Sequence, residues 1–334
     1  MLAHEPLGLA PLRVVASGKA LPSQCVTASD LDLRLGLAAG TTWRQSGVRQ
    51  RYLAASHESQ SQLGADALAD ALRHADMAVG SIDLLISACG VPEQALPCTG
   101  ALIAHHAGLM RGTPAFDVNA SCLGFLTGLQ VAAGLLALGT YRRIALVSSD
   151  LASRGADWSD AESSLILGDG AAAVILERGD GMQGIAAFKL ATYPEGRAYC
   201  EIRAGGTRCN PGQGITLQDH LFRMNGKAVF KLAAQVLPEF LAELMAHVPG
   251  GLASIDVVVP HQASHLATAH VARKLGLQAD KVVNIYATHG NQVAASLPTA
   301  LHEARRAGRT PPGTRALLIG TAAGVAVGGL VLQL

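Results

Sequence analysis

Three residues of this sequence have types and settings that could do chemistry together: Cys122 in Asn119-Ala-Ser-Cys122, His261 in Pro260-His261-Gln262, and Asn291 in His289-Gly-Asn291. A cysteine in the first turn of a helix faces unpaired backbone N–H groups and the positive end of the helix dipole. Both lower the thiol pKa and favour a thiolate, a good acceptor for an acyl group. The small neighbours Ala120, Ser121 and Gly124 leave room for a thioester to approach the backbone. A histidine directly after a strand can act as a general base, or donate to an oxygen on which negative charge develops. Asn291 offers an amide donor to the same oxygen without titrating. A Cys/His pair with a third polar residue suits a cysteine hydrolase equally well, so residue types alone leave the reaction open. The other cysteines, Cys25, Cys89, Cys98, Cys200 and Cys209, read as buried apolar residues.

The elements that must position these groups come from an internal repeat. Ser81-Ile-Asp-Leu-Leu-Ile86 is echoed by Ser254-Ile-Asp-Val-Val-Val259, 173 positions later (254 less 81). After each copy the sequence predicts a helix (99–109, 265–277), a short strand (115–118, 281–286), a small-residue turn and a long apolar helix (123–138, 293–306). Each half then closes with a strand, 143–148 or 315–319. Strand and helix alternating at this spacing, with continuously apolar central strands, argue α/β layering. The chain divides into two similar halves, residues 1–177 with Cys122 and residues 178–334 with His261 and Asn291. All three fall at strand ends, where open α/β sheets place their ligands.

Composition narrows the field further. Charged residues are only 15% of the 334, against about 25% in an average soluble domain, while 49% are hydrophobic, so much of the chain is buried on both faces. Disorder and coiled coil are excluded. The 26 Lys and Arg nearly balance the 25 Asp and Glu, which offers no field for nucleic acid or an acidic membrane surface. Six cysteines without a CxxC pair read as reduced thiols, and no signal peptide is evident, so a cytoplasmic setting is expected. Residues 123–140 and 316–334 are charge-free at near membrane-span length, and Gly320, Gly324 and Gly328 have small-xxx-small spacing. Glycine and β-branched punctuation nevertheless favours two buried strands joined by a glycine turn over 316–334, and no membrane span.

The strings Asp117-Val-Asn-Ala-Ser-Cys122-Leu-Gly-Phe125, Val259-Pro-His261-Gln-Ala263, His289-Gly-Asn291-Gln-Val-Ala-Ala-Ser296 and Gly168-Asp-Gly-Ala-Ala172 resemble β-ketoacyl-acyl-carrier-protein synthase III of the thiolase superfamily. The resemblance runs from Ala16-Ser-Gly-Lys-Ala-Leu-Pro22 to the C-terminal glycine turn. It implies a homodimeric, five-layered αβαβα fold. Cys122 then takes an acyl group from acyl-coenzyme A, and His261 and Asn291 hold the enolate formed when a malonyl thioester on acyl carrier protein loses carbon dioxide. Coenzyme A thioesters enter as substrates, and no resident cofactor or metal is implied. The backbone N–H groups of Cys122 and Ala323 correspond to the family's second oxyanion pocket. Coenzyme A positions fall on Arg154, Ser264 and, a little displaced, Trp43. The acyl-pocket phenylalanine becomes Leu96, and carrier-docking positions fall on Lys231, Arg273 and Lys274, with Leu266 where the family has arginine.

Other readings are weaker. An acyltransferase or thioester hydrolase on the same fold would keep Cys122 but has no need of both His261 and Asn291. A biosynthetic thiolase would need a second cysteine near 320–329, and a plant-type polyketide synthase tends to be longer. Gly168-Asp-Gly170 looks like a dinucleotide fingerprint, but 173–176 reads as strand where that motif opens a helix. His261 and His265 have the spacing of a zinc-protease pair without its glutamate, and His265 is expected to be exposed.

Overall fold

The structure, a computed structural model, describes residues 9–334 apart from 210, 211, 213 and 275. Two five-stranded sheets carry the chain. The first runs in the order Arg13–Ala20, Gly170–Glu177, Arg143–Asp150, Leu84–Ser87, Ala115–Asp117. The second runs Ala10–Pro11, Gly184–Thr192, Ala326–Gln333, Arg315–Ala322, Val257–Pro260. Two antiparallel pairings in the first sheet, and three in the second, are followed by a parallel one onto the strand of the repeated string.

The repeat does the same work in each half. The hydroxyls of Ser81 and Ser254 each donate to a carbonyl three residues back, Ala78 and Gly251, at 2.7 Å. Ile82 and Ile255 are buried. The Asp83 carboxylate accepts from the Arg143 N–H (3.0 Å) and that of Asp256 from the Arg315 N–H (2.8 Å), which pins the start of the neighbouring parallel strand. Strands such as Leu84–Ser87 and Val257–Pro260 are buried at every position, as expected of strands covered on both faces.

Five layers result. Helices Gly124–Ala137 and Ser296–Arg306 lie between the sheets, where Leu126, Leu129, Leu297 and Leu301 pack with Ile86, Leu146, Val259 and Leu318. Helices Gln60–His74 and Thr99–His106 cover the outer face of the first sheet, with Leu68 and Ile103 against Leu85 and Val147. Helix Gly226–Met245 covers the second, with Phe240 and Leu244 against Leu317 and Val331. The expected αβαβα architecture is observed.

Some details differ from the sequence reading. Residues 281–286 form no strand; only Val282 bridges Val258. The Gln262 side chain takes the Ile285 N–H (3.1 Å) and Asn284 takes that of Tyr286 (3.1 Å), which turns the chain into the short helix Tyr286–His289. The run expected to be helical from 293 begins as a tight turn, Val293–Ala295, before Ser296–Arg306. The charge-free runs become a 14-residue buried helix and an antiparallel strand pair, and no helix among the described residues is long and apolar enough to cross a membrane. All six cysteines are free, but only Cys89 is fully buried and Cys25 is exposed.

The halves are stitched together where the loop 166–168 of the first meets 289–291 of the second. The Asn291 N–H donates to the Ile166 carbonyl (2.8 Å) and the Gly168 N–H to the Asn291 carbonyl (3.0 Å). A Cβ at Gly168 would lie 2.1 Å from the His289 carbonyl oxygen, so only glycine permits this approach. At Gly170 a Cβ would lie 2.0 Å from the Gln292 amide nitrogen, which donates to the Asp169 carbonyl (3.0 Å). Gly168-Asp-Gly170 is therefore a packing joint, and it leads into strand Gly170–Glu177 as the sequence predicts.

The joint is tested by two opposite glycine substitutions. Gly168→Ala should lower unfolding stability in urea by about 1–3 kcal/mol, the usual cost of overpacking. Gly134→Ala, in an exposed helix position with nothing within 4 Å of the new methyl, should raise it by about 1 kcal/mol. Wild-type stability for Gly168→Ala would show that the two loops part without cost.

Candidate active site

After the edge strand Ala115–Asp117 the Asn119 side chain accepts from the Ser121 N–H (2.8 Å), closing a tight turn in which Ser121 has φ +49°. Cys122 follows, one residue before the N-cap Leu123 of helix Gly124–Ala137. It stands at the mouth of the helix and not in its first turn. The expected lowering of the thiol pKa is corrected accordingly. Burial pushes Cys122 up to about 12, with Asp150 and Cys200 acting in the same direction, against the backbone N–H groups of Ala323 and Cys122 that hydrogen-bond the sulfur. The cost of removing a thiolate from water outweighs two backbone donors. The resting group is a neutral thiol in a residue that keeps part of its surface accessible.

Ala323 is held in place by the turn between strands Arg315–Ala322 and Ala326–Gln333. Gly324 (φ +77°) and Val325 (φ +50°) make that turn, and the Val325 carbonyl accepts from the Tyr193 N–H (2.9 Å). The two N–H groups expected around the nucleophile thus meet at its sulfur.

His261 directly follows Val257–Pro260, and its N–H donates to the Ile319 carbonyl (2.8 Å) on the neighbouring strand. Its ring is 6% exposed, and Nδ1 has no hydrogen-bond partner among the described residues. Burial lowers its pKa to about 4, so the imidazole is neutral near pH 7 and can donate from only one nitrogen. The adjacent Gln262 is fully engaged, donating to the Pro260 (2.7 Å) and Val283 (3.2 Å) carbonyls. It ties the histidine loop to the segment leading to Asn291. At Asn291 the side-chain oxygen accepts from the Val293 N–H (2.9 Å). That bond fixes the amide so that its NH2 is the end left for a ligand.

Gly320 marks the approach of the histidine to the cysteine loop: a Cβ there would lie 2.5 Å from His261 Cβ and 3.4 Å from Leu123 Cδ2. A cavity of about 550 Å3 is lined by His261, Gly320, Ile166, Met224, Phe230 and Ser264 among others. Its lining reaches the surface at Phe230, 43% exposed, and Leu266, 65% exposed. Cys122 and Asn291 are not in this lining, but each is bonded to its wall region: Asn291 directly to Ile166, and Cys122 to the Ala323 N–H beyond Gly320 and Thr321.

Of the other expected residues, Ser264 and Arg273 line the cavity, and Lys231 lies exposed next to Phe230. The Lys274 side chain lies outside the described residues. Arg154 and Trp43 are not in the cavity lining. Arg154 donates to the carbonyls of Ala55 and Glu58, and Trp43, 40% exposed, carries the Arg49 guanidinium 4.9 Å above its ring. Leu96 is 85% exposed and not in the lining either. His265 is not exposed as expected: it is half-buried, with Nδ1 3.0 Å from the Ser46 carbonyl.

Sequence reasoning missed Asp150, whose buried carboxylate accepts from the N–H groups of Gly90 (2.9 Å), Val91 (3.1 Å) and Ala294 (3.1 Å). It also missed Glu162, a cavity residue that accepts from the Gly226 N–H (3.0 Å). A buried acid at the end of strand Arg143–Asp150 could have been suspected from its abrupt polarity after an apolar run. Nothing in the sequence marks Glu162.

Comparison with known proteins gives the family. A family model for 3-oxoacyl-[acyl-carrier-protein] synthase III matches residues 116–194, and one for the C-terminal part of the same enzyme matches 250–334. The β-ketoacyl-[acyl-carrier-protein] synthase III of Neisseria meningitidis is 32% identical over 328 residues, 96% of this chain and 98% of the relative. Synthase III 3 of Streptomyces coelicolor is 34% identical over 319 residues, covering 94% and 95%. This chain belongs to the β-ketoacyl-[acyl-carrier-protein] synthase III family. The solved synthase III of Pseudomonas aeruginosa superposes with a TM-score of 0.85 at 28% identity, covering 97% of this chain and 98% of that one. The protein is a thiolase-fold condensing enzyme of the acyltransferase type.

A resting thiol in this synthase sets a clear expectation for alkylation. Modification of Cys122 by iodoacetamide, followed by peptide mass spectrometry, should climb about tenfold per pH unit from about pH 7 to about pH 10 as the thiolate fraction grows. A plateau below about pH 9 would mean that the helix mouth, not burial, controls the sulfur.

Proposed function

We propose that this synthase takes an acyl group from acyl-coenzyme A onto Cys122 and joins it to a malonyl thioester carried on acyl carrier protein. The product is a 3-oxoacyl thioester. The observation that carries this reading is the pair of uncharged donors, His261 and the amide of Asn291, on loops tied to one another through Gln262 and to the cysteine side of the molecule through Ile166 and Gly320.

In this reading the Cys122 thiol gives up its proton as the sulfur attacks the acyl carbonyl, and the N–H groups of Cys122 and Ala323 hold the oxyanion. The bond from the acyl carbon to the sulfur of coenzyme A breaks as that sulfur takes up a proton and leaves as the thiol. The malonyl thioester oxygen then lies between His261 and Asn291. As the bond to the carboxylate breaks and carbon dioxide leaves, the electron pair delocalises onto that oxygen, where fixed donors in a dry site stabilise it strongly. A carboxylate at either position would repel the same charge. The enolate carbon attacks the acyl carbon, the carbon–sulfur bond to Cys122 breaks, and the sulfur recovers a proton.

The cavity suits the pantetheine arm shared by both substrates: an apolar channel past Met224 and Phe230, with Ser264 on its wall. Arg273 at the cavity and Lys231 near its mouth, together with Lys274, would receive the carrier protein, and Arg154 and Trp43 would contact the adenine end of coenzyme A. Coenzyme A thioesters act as substrates, with no resident cofactor, in the cytoplasm. A homodimer would form on the edge strand Ala115–Asp117, where Phe116 is 37% exposed. Leu96 would then border an acyl pocket only in the assembled pair.

Intact-mass analysis against a panel of acyl-coenzyme A thioesters tests the first step: wild type should gain the acyl mass and Cys122→Ala should not. His261→Ala and Asn291→Ala should still acylate, while release of carbon dioxide from malonyl thioester falls by about 100–1000-fold, the usual effect of losing an oxyanion donor. Full condensation by Cys122→Ala would overturn the assignment. Acylation followed only by release of free acid would assign the enzyme to thioester hydrolysis instead.

A further inference from the structure

We infer that Asp150 is a positioning residue for decarboxylation, acting through the Val293 turn to aim the Asn291 amide. The inference rests on the condensing function proposed above. Asp150 ends the strand Arg143–Asp150 of the first half and is 2% exposed. Among the described residues its carboxylate has no cation in its hydrogen bonds or ion pairs. Instead it gathers backbone N–H groups from two separate loops: Gly90 and Val91 after the strand Leu84–Ser87, and Ala294 from the second half.

The second-half loop is the one that matters for chemistry. Val293 has φ +52°, a left-handed conformation that a β-branched residue adopts only under constraint. In that conformation its N–H reaches the Asn291 side-chain oxygen at 2.9 Å. Two contacts hold it there. The Asp150 carboxylate binds the next N–H, that of Ala294 (3.1 Å), and Gly90 packs so closely that a Cβ on it would lie 2.4 Å from Val293 Cγ1 and 3.2 Å from Asp150 Oδ1. An acid in the first half thus determines which end of an amide in the second half faces the substrate.

The same carboxylate reaches the nucleophile only through its field, which disfavours the thiolate of Cys122. Burial pushes the Asp150 carboxyl up to about 8 against its backbone N–H donors, so the group is charged above that pH. Removing the charge there has opposite consequences at the two reacting groups. Asp150→Asn keeps one acceptor but sets an NH2 against N–H donors, so the turn loosens while the sulfur ionises more readily.

The experiment measures two rates on the same samples at about pH 9, where the Asp150 carboxyl is charged: carbon dioxide release from malonyl thioester and alkylation of Cys122 by iodoacetamide. Asp150→Asn should slow decarboxylation about tenfold or more, short of the loss expected when a donor is removed outright, and leave alkylation equal or faster. General damage to the fold would depress both. Gly90→Ala, which crowds Val293 most closely and leaves the Asp150 carboxyl in place, should slow decarboxylation and leave alkylation close to the wild-type rate. In an Asn291→Ala background, Asp150→Asn should cost less than about threefold, because coupled residues are not additive. Wild-type decarboxylation by Asp150→Asn, or an equal cost with and without Asn291, overturns the inference. A wild-type enzyme that releases no carbon dioxide overturns the condensing function itself, and this inference with it.

Discussion

The arrangement depends on a pair of backbone hydrogen bonds across the seam between the halves, Asn291 to Ile166 and Gly168 to Asn291. They are the point at which the second half's amide is registered against the first half. Their existence requires a missing side chain, since any Cβ at Gly168 would collide with the His289 carbonyl. Backbone bonds of this kind suit the purpose because they involve no rotamer choice. The geometry of the donor is set by the main chain and does not relax when a substrate leaves.

Neutrality is the second organising feature. The sulfur, the imidazole and the amide all rest uncharged, the first two because burial opposes their ionised forms. Such a site costs less to desolvate than an ion pair would, and it does not compete with a substrate for its own donors. Charge then appears only as the reaction creates it, where the donors already stand. Asp150, whose carboxylate reaches the loop after Asn291 directly, is satisfied by main-chain N–H groups and is spent on holding a turn.

Much of this was legible in the residues. The Ser-Ile-Asp string revealed the duplication, while the hydrogen-bonding role of its serine and aspartate in either copy emerged only from the structure. Continuous apolar runs gave the buried strands, and the second of the charge-free runs resolved correctly into a hairpin because its glycines interrupt it. Three things were not legible. The segment 281–286 has strand composition, but side chains from Gln262 and Asn284 claim its N–H groups, a competition decided by tertiary contact. The thiol pKa depended on burial, which no local string reports. The packing of His265 against Ser46 and Gly47 joins residues some 220 positions apart and leaves no trace in spacing.

A site assembled at a seam has a mechanical vulnerability. Apart from Ala10–Pro11, which adds an edge to the second sheet, each half has its own sheet and its own outer helical cover, so a small sliding of one against the other would leave most of each internally sound. It would nevertheless carry the Ala323 N–H off the sulfur and swing the carboxamide out of line. A molecule wedged into that boundary could therefore silence the catalyst while every spectroscopic sign of a folded protein persisted.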